Sequence, residues 1–351
     1  MADINLASKY SGKIAEKFTK NSFVAGNAST DYDFSGVKSI TIYTPQTVEL
    51  NDYVRSGQNR YGTPVEMGDS IQELELSQDK GFSLTIDRGN NLDQMNTKGG
   101  AKMLKMQIKE RVVPTMDKYA LSKWSHLAGT IAPLSAAPTA DTIVEKIFDG
   151  AKTLDNLLVP DEDRILYLPT TYYNLLRLSK QFLAVDNLAE KALSKGYVGM
   201  VADMKVIKIP DSYIPENAYF LITYKGSVLM PNKIKKAKLT SDPPGIDGDL
   251  LEGRNYYDAF VLSAKAGGVY LAADSAYVVA SPAISIASHS ATITAVSGVT
   301  FKYTVDGSDP RYSKTAQTYS GAVTTTAGTV FKAFGQASGK FPSGVSTATD
   351  A

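Results

Sequence analysis

The feature that most restricts how this chain can fold is a change of composition near residue 276. Beyond it the charged residues thin out to Lys302, Asp306, Asp309, Arg311, Lys314, Lys332, Lys340 and Asp350, while Ser, Thr, Ala, Gly and Val take over. Short alternating runs at 283–286, 291–296, 299–305 and 329–334, parted by turns containing Gly and Ser, describe a small antiparallel β-sandwich. The chain is therefore read as two units, which its 351 residues allow, since domains commonly run to roughly 100–200 residues.

Ahead of that boundary helices and strands interleave without a regular βα repeat, the pattern of an α+β fold. Leu6, Tyr10, Ile14 and Phe18 recur every four residues and predict an amphipathic helix, with Lys9, Lys13, Lys17 and Lys20 along another side. A polar stretch at 21–36 offers little to pack, so residues 1–36 are expected to form an N-terminal arm. Ile40, Thr41, Ile42, Thr47 and Val48 predict strand at 39–50, interrupted near Pro45, and a loop rich in Gly and charge follows to residue 68.

The strongest local pattern comes next. Runs 71–76 and 82–86 flank the five residues 77–81 and read as a hairpin. Period-two alternation sets Leu74 and Leu76 on the same face as Phe82, Leu84 and Ile86. No adjacent stretch offers a third strand, and a lone hairpin is marginally stable in water, so something outside it is expected to cover that face.

Helical spacing dominates 98–127, where Leu104, Ile108, Val112, Met116, Tyr119 and Trp124 predict a long spine helix kinked at Pro114. A second helix is expected at 141–158 with the inner stripe Val144, Ile147, Ala151, Leu154 and Leu158. A buried strand at 164–168, helices at 170–178 and 186–195, and strands at 204–209, 218–223, 257–263 and 268–272 complete the unit.

Chemistry is excluded more readily than it is found. Hydrophobic residues make up 43% and charged residues 21%, an ordinary globular balance. The absence of cysteine rules out disulfides and thiolate sites and favours a reducing place of synthesis. Neither a signal pattern at the N-terminus nor an apolar run of the ~18 residues a membrane span needs is present. With 37 basic against 36 acidic residues, any contact with nucleic acid must be local.

His126 and His289 fall in different units, so no His-based triad or two-His metal site is readily assembled. No P-loop, dinucleotide fingerprint or distinguished acid pair occurs. Asp306-Gly307-Ser308-Asp309-Pro310 has too few oxygen ligands for calcium and reads as a turn whose Asp side chains bond nearby amides. The N-terminal lysines read first as a solvated helix face. Lys233, Lys235, Lys236 and Lys238 read equally as partners for a neighbour's acids or as a plain exposed loop.

The order of arm, extended hairpin, long spine helix and mixed domain resembles the Hong Kong 97 fold of tailed-phage major capsid proteins. Gly253-Arg254-Asn255-Tyr256-Tyr257-Asp258-Ala259-Phe260-Val261-Leu262, then Lys265 and Gly268-Val269-Tyr270, look like that family's closing strands. Val228-Leu229-Met230-Pro231-Asn232-Lys233-Ile234 and residues 199–210 resemble the strands before them. The resemblance spans residues 1–273. It implies a capsid domain at 37–276, with an extended loop at 51–88, the spine at about 98–127 and an axial domain at about 140–228. Residues 281–351 are similar to the immunoglobulin-like domain that ends chitobiases and related glycosidases, on Phe301-Lys302-Tyr303-Thr304-Val305-Asp306-Gly307-Ser308-Asp309-Pro310 and Val330-Phe331-Lys332-Ala333-Phe334.

What the resemblance implies is a structural protein without a reaction or cofactor. Copies would assemble as pentamers and hexamers into an icosahedral shell around double-stranded DNA, touched by weak local contacts. Synthesis in the host bacterial cytoplasm, scaffolding and portal proteins as partners, and no membrane are implied as well. Leu74, Leu76, Phe82, Leu84 and Ile86 would lie across a neighbouring subunit, and Lys9, Lys13, Lys17 and Lys20 would face the lumen. The sandwich, with its turn at Asp306, Gly307, Asp309 and Pro310, would project outward, be dispensable for closure, and have surface glycans as its ligand class. An encapsulin-like compartment shares the fold and is the nearest alternative. A carbohydrate-active enzyme bearing the terminal module and a surface-binding protein are the rivals of another class.

Overall fold

The computed structural model describes residues 21–32, 34, 37–48, 50–64, 66–93, 98–179 and 199–351. The expected helices at the N-terminus and at 186–195, and with them Lys9, Lys13, Lys17 and Lys20, lie outside the described residues. The first strands, β1 (Ser39–Pro45) and β2 (Asp69–Glu75), pair antiparallel into a two-stranded ribbon, Ser39 opposite Glu75 and Pro45 opposite Asp69. β3 (Gln78–Asp87) starts two residues after β2 but joins a different sheet, pairing along its length with the later strand Gly248–Tyr257.

The expected hairpin between 71–76 and 82–86 is therefore not formed. Alternation identifies a strand and its faces, but it carries no information about the partner. Residues 77–81 read as a turn by composition, yet Gln78, Asp79 and Lys80 stay extended because they pair with Tyr257, Tyr256 and Asn255. The third strand thought to be missing is β1, which lies upstream of the loop.

α1 (Arg88–Asp93) leads towards the spine, which is one nearly continuous helix: α2 (Gly100–Gln107), a π turn (Ile108–Val112) and α3 (Val113–His126). The irregular turn falls where Pro114 predicts it, since proline has no N–H for the carbonyl four residues back. The hydroxyl of Thr115 donates to the Arg111 carbonyl at 2.7 Å.

Beyond the spine come β4 (Thr130–Leu134), α4 (Ile143–Asn156), β5 (Arg164–Pro169) and α5 (Thr170–Leu178). β6 (Met200–Val201), β7 (Met204–Ile209), β8 (Ala218–Tyr224), β9 (Val228–Leu229), β10 (Asn232–Ser241), β11 (Gly248–Tyr257), β12 (Phe260–Val261) and β13 (Val269–Asp274) complete this unit. A mixed six-stranded sheet in the order β4-β13-β8-β5-β7-β6 is its centre. Alternation along β5 sends Ile165 and Tyr167 to one face, among Leu121 and Trp124 of the spine, and Leu166 and Leu168 to the other, among Ile147 and Leu154 of α4 and Leu176 of α5.

Helices thus cover both faces of the sheet, an α+β architecture. Gly150 allows α4 its close approach, because a Cβ there would meet the Ile222 side chain at 2.6 Å. Leu158 departs from the expected inner stripe: α4 ends before it, its φ is +55°, and it stands 90% exposed. The strand expected at 257–263 is also divided, β11 ending at Tyr257 and β12 beginning at Phe260.

A smaller sheet, β10-β11-β3, flanks the spine. Lys235, Lys236 and Lys238 sit exposed on its edge strand β10, not on a loop. Lysines there keep the open backbone edge from pairing indiscriminately.

The C-terminal sandwich has one sheet of β14 (Ile284–Ala287), β15 (Ser290–Ile293) and β18 (Val323–Thr324). The other contains β16 (Thr300–Thr304), β17 (Gln317–Thr318), β19 (Val330–Gln336) and β20 (Ser346–Thr349). Ala291, Ile293, Phe301, Tyr303, Phe331 and Ala333 fill the space between, with Tyr303 stacked on Phe331 at 5.1 Å. Two aromatics of this region pack elsewhere: Tyr312 and Phe341 belong to the core built around Trp124.

Candidate assembly interface

The ribbon is rigid at its base and apolar at its tip. At the base, Leu74 and Leu76 are 2% and 1% exposed and pack with Phe34, Leu229 and Leu262 of the same chain. Gln72, on the same face, is buried; its amide donates to the Val261 carbonyl and accepts from the Ser263 N–H, each at 2.8 Å. Glu73 and Glu75 point outward, the latter paired with Lys38. The face of β2 expected to rest on a neighbouring subunit is therefore covered within its own chain.

A single carboxylate turns the chain from β2 into β3. Asp258, buried between β11 and β12, accepts from the Ser77 N–H and the Tyr119 hydroxyl, both at 2.8 Å, and from the Ala259 N–H at 2.7 Å. Burial pushes the Tyr119 phenol up to about 12, so it remains a donor. Residue spacing could not have singled out Asp258, since its three partners come from two distant segments and its own neighbour.

The remaining expected interface residues lie on β3. Ile86 is buried, Leu84 is 40% exposed, and Phe82 lies against Gly253, whose missing side chain leaves room for the ring. Phe82, Val112, Met116 and Met230 help to line a cavity of about 440 Å³ beside the spine. Only Leu84 among the five stands open to solvent.

Open apolar surface lies instead on residues 46–68, the loop between β1 and β2. The Gln46 N–H donates to the Gly68 carbonyl at 2.8 Å and closes the neck, and the Val54 N–H donates to the Arg60 carbonyl at 3.0 Å within the loop. Tyr53 and Tyr61 meet edge to face at 5.0 Å. Val48, Leu50, Tyr61 and Met67 of this loop are exposed, Leu50 completely and Tyr61 to 83%. Monomeric proteins rarely gather such side chains on one element unless another surface receives them.

The turn at 306–315 is held by its own carboxylates. Asp306 accepts from the Ser308 N–H at 3.0 Å and the Thr315 hydroxyl at 2.6 Å, and Asp309 accepts from the Arg311 N–H at 2.9 Å. Burial raises the Asp306 carboxyl, but the Ser308 and Thr315 donors outweigh it and hold it below the usual range. Gly307 supplies the positive φ of +73°, and Pro310 is buried. His126 bonds the Ser122 carbonyl of its own helix at 2.8 Å, and His289 faces Asp350, far along the chain, at 2.9 Å. Among the described residues, no helix is long and apolar enough to cross a membrane.

Residues 291–349 match the Fn3-associated family. No curated protein matches the chain. Among solved structures, the capsid of cyanophage P-SCSP1u is similar with a TM-score of 0.64 at 14% identity, over 76% of this chain and 92% of that one. The mature capsid of bacteriophage PhiM1 is similar with a TM-score of 0.58 at 11% identity, over 76% and 91%. The capsid of Myoviridae phage XM1 gives 0.52 at 11% identity, over 78% and 100%. At such identities the likeness concerns architecture: this chain has the Hong Kong 97-type capsid fold, extended by an immunoglobulin-like sandwich.

Proposed function

We propose that the chain is the major capsid protein of a tailed bacteriophage, whose copies assemble into an icosahedral shell enclosing a DNA genome. The observation that carries this reading is the ribbon: its base is pinned by Gln72, Leu74 and Leu76, while its tip holds Leu50, Tyr61 and Met67 in water. Such a device gains its stabilisation only when a second copy buries the tip, and assembly interfaces of this kind commonly bury thousands of Å². Likeness to phage capsid chains over about three quarters of the sequence supports it.

In this reading the chain works by geometry and catalyses no reaction. Scaffolding and portal proteins, local contacts with packaged DNA, surface glycans at the sandwich and synthesis in the bacterial cytoplasm belong to the same proposal. Electron microscopy and sedimentation of the purified chain test it. Concentration-dependent rings and closed particles are expected; a monomer at every concentration and ionic strength would overturn it. An enzyme in the lumen, in place of DNA, would favour a cargo compartment.

A further inference from the structure

The loop 306–315 of the sandwich grips two separate parts of the main unit. Its first grip is on the end of the spine. The Arg311 guanidinium donates to the carbonyls of Ala128 at 2.8 Å and Gly129 at 2.9 Å, just past the last residue of α3. These two carbonyls lie just beyond the helix, whose C-terminal end carries partial negative charge that a nearby cation offsets. Asp309 holds the other edge of the guanidinium at 2.7 Å, so the 8% exposed side chain is not an unpaired charge. The Tyr312 hydroxyl donates to the Leu127 carbonyl at 2.6 Å while its ring sits in the Trp124 core.

The second grip is on the ribbon. Ser313 forms an antiparallel bridge with Gln72, on the edge of β2 that β1 leaves open. The Lys314 N–H donates to the Ile71 carbonyl at 3.2 Å, and its ammonium pairs with Glu73 at 2.8 Å. Both grips fall within four consecutive residues, Arg311 to Lys314, which span at most about 10 Å of extended chain. No slack separates them.

We propose that the C-terminal sandwich is an internal strut: Arg311 and Lys314 are positioning residues that fix the angle at which the ribbon leaves the spine, and with it the contacts one subunit offers the next. The inference rests on the capsid reading for its consequence, but its geometry can be tested without assembly. In the unassembled full-length chain, Arg311→Ala should raise amide exchange about tenfold across 69–76, while β5 and β8 keep their protection. Lys314→Glu should do so more weakly, and the exchange Lys314→Glu with Glu73→Lys should restore it. Under assembly conditions the single variants should give fewer particles with a broader range of diameters, the swap particles of parental size. Lys314 is exposed, so its reversal reads out even if Arg311→Ala does not fold. Unchanged exchange over 69–76 together with uniform particles from the single variants would overturn the strut. If the parent chain forms no particles, the capsid reading fails while the exchange measurement still decides the strut.

Discussion

Two buried carboxylates organise the chain around the spine, and they act in different ways. Asp258 satisfies three donors at once, so its loss takes the acceptor from the Ser77 and Ala259 N–H groups and leaves the Tyr119 hydroxyl only its longer contact with the Ser77 hydroxyl. Unsatisfied buried groups cost about 1–3 kcal/mol each, and Asp258→Ala should destabilise the subunit by about 3 kcal/mol in chemical denaturation. Asp258→Asn, which keeps one acceptor, should cost less. Asp117, on α3, accepts from the Ser22 hydroxyl at 2.6 Å and the Phe23 N–H at 2.8 Å and so ties the incoming chain to the spine. Burial pushes its carboxyl above the ordinary range, against those two hydrogen bonds. A raised carboxyl contributes stability that is complete below its unfolded value, near pH 4, and is lost as pH climbs through its folded value. The stability of the parent relative to Asp117→Asn should therefore decline as pH rises from about 4; a flat difference would show that burial does not outweigh the Ser22 and Phe23 hydrogen bonds.

At the scale of elements, the ribbon divides labour between a fixed base and a receptive tip. Ser70 lies opposite Thr44, so joining them through Asn-Gly would close β1 onto β2 by a two-residue turn and remove residues 45–69. That variant should melt within a few degrees of the parent, since the core residues Leu74 and Leu76 stay in place. It should sediment as a monomer where the parent associates. Strand positions here were legible: β2 and β3 begin and end within a few residues of the alternating runs. Their partners were not, because Leu74 and Phe82 have the same apolar character whether they face each other or, as found, Leu229 and Gly253. The spine and α5 were legible for the converse reason, each being defined by helical hydrogen bonds near in sequence; β7 was legible as an alternating run although its partner β5 lies 40 residues upstream, Lys205 opposite Ile165.

Taken whole, the molecule is less modular than its composition suggests. Tyr312 and Phe341 lie in the main core, the Phe341 N–H donates to the Tyr277 carbonyl at 2.7 Å, and the His126 ring rests on Phe341 at 5.0 Å. A chain ending at residue 275 loses the burial of both aromatics, at about 1.5–3 kcal/mol apiece. It should accordingly be some 3 kcal/mol or more less stable in urea than the rest of the full-length protein, measured from the intrinsic fluorescence of Trp124. Equal stability would restore the view of the sandwich as a dispensable satellite. The turn at 306–310 keeps the Asp-to-amide hydrogen bonds read from its sequence, and Arg311 beside it adds a docking to the segment after the spine that the sequence did not show.

By itself the sequence determined where the spine, α5 and the main alternating strands lie, where the composition divides, that the spine is interrupted at Pro114, and that cysteine chemistry is excluded, while it misplaced the extended residues 78–80 and the strand β10; the first four follow from periodicity, proline geometry and residue inventory. Tertiary structure alone decided that β1 is the partner of β2, that Leu74 and Leu76 are covered at home, that Leu50 and Tyr61 carry the open surface, and that Arg311 joins the two units. Pairing and docking are contests among surfaces of similar character, and they are settled by corners such as Asp258 and by carbonyls just beyond a helix end, groups whose partners lie far away along the chain.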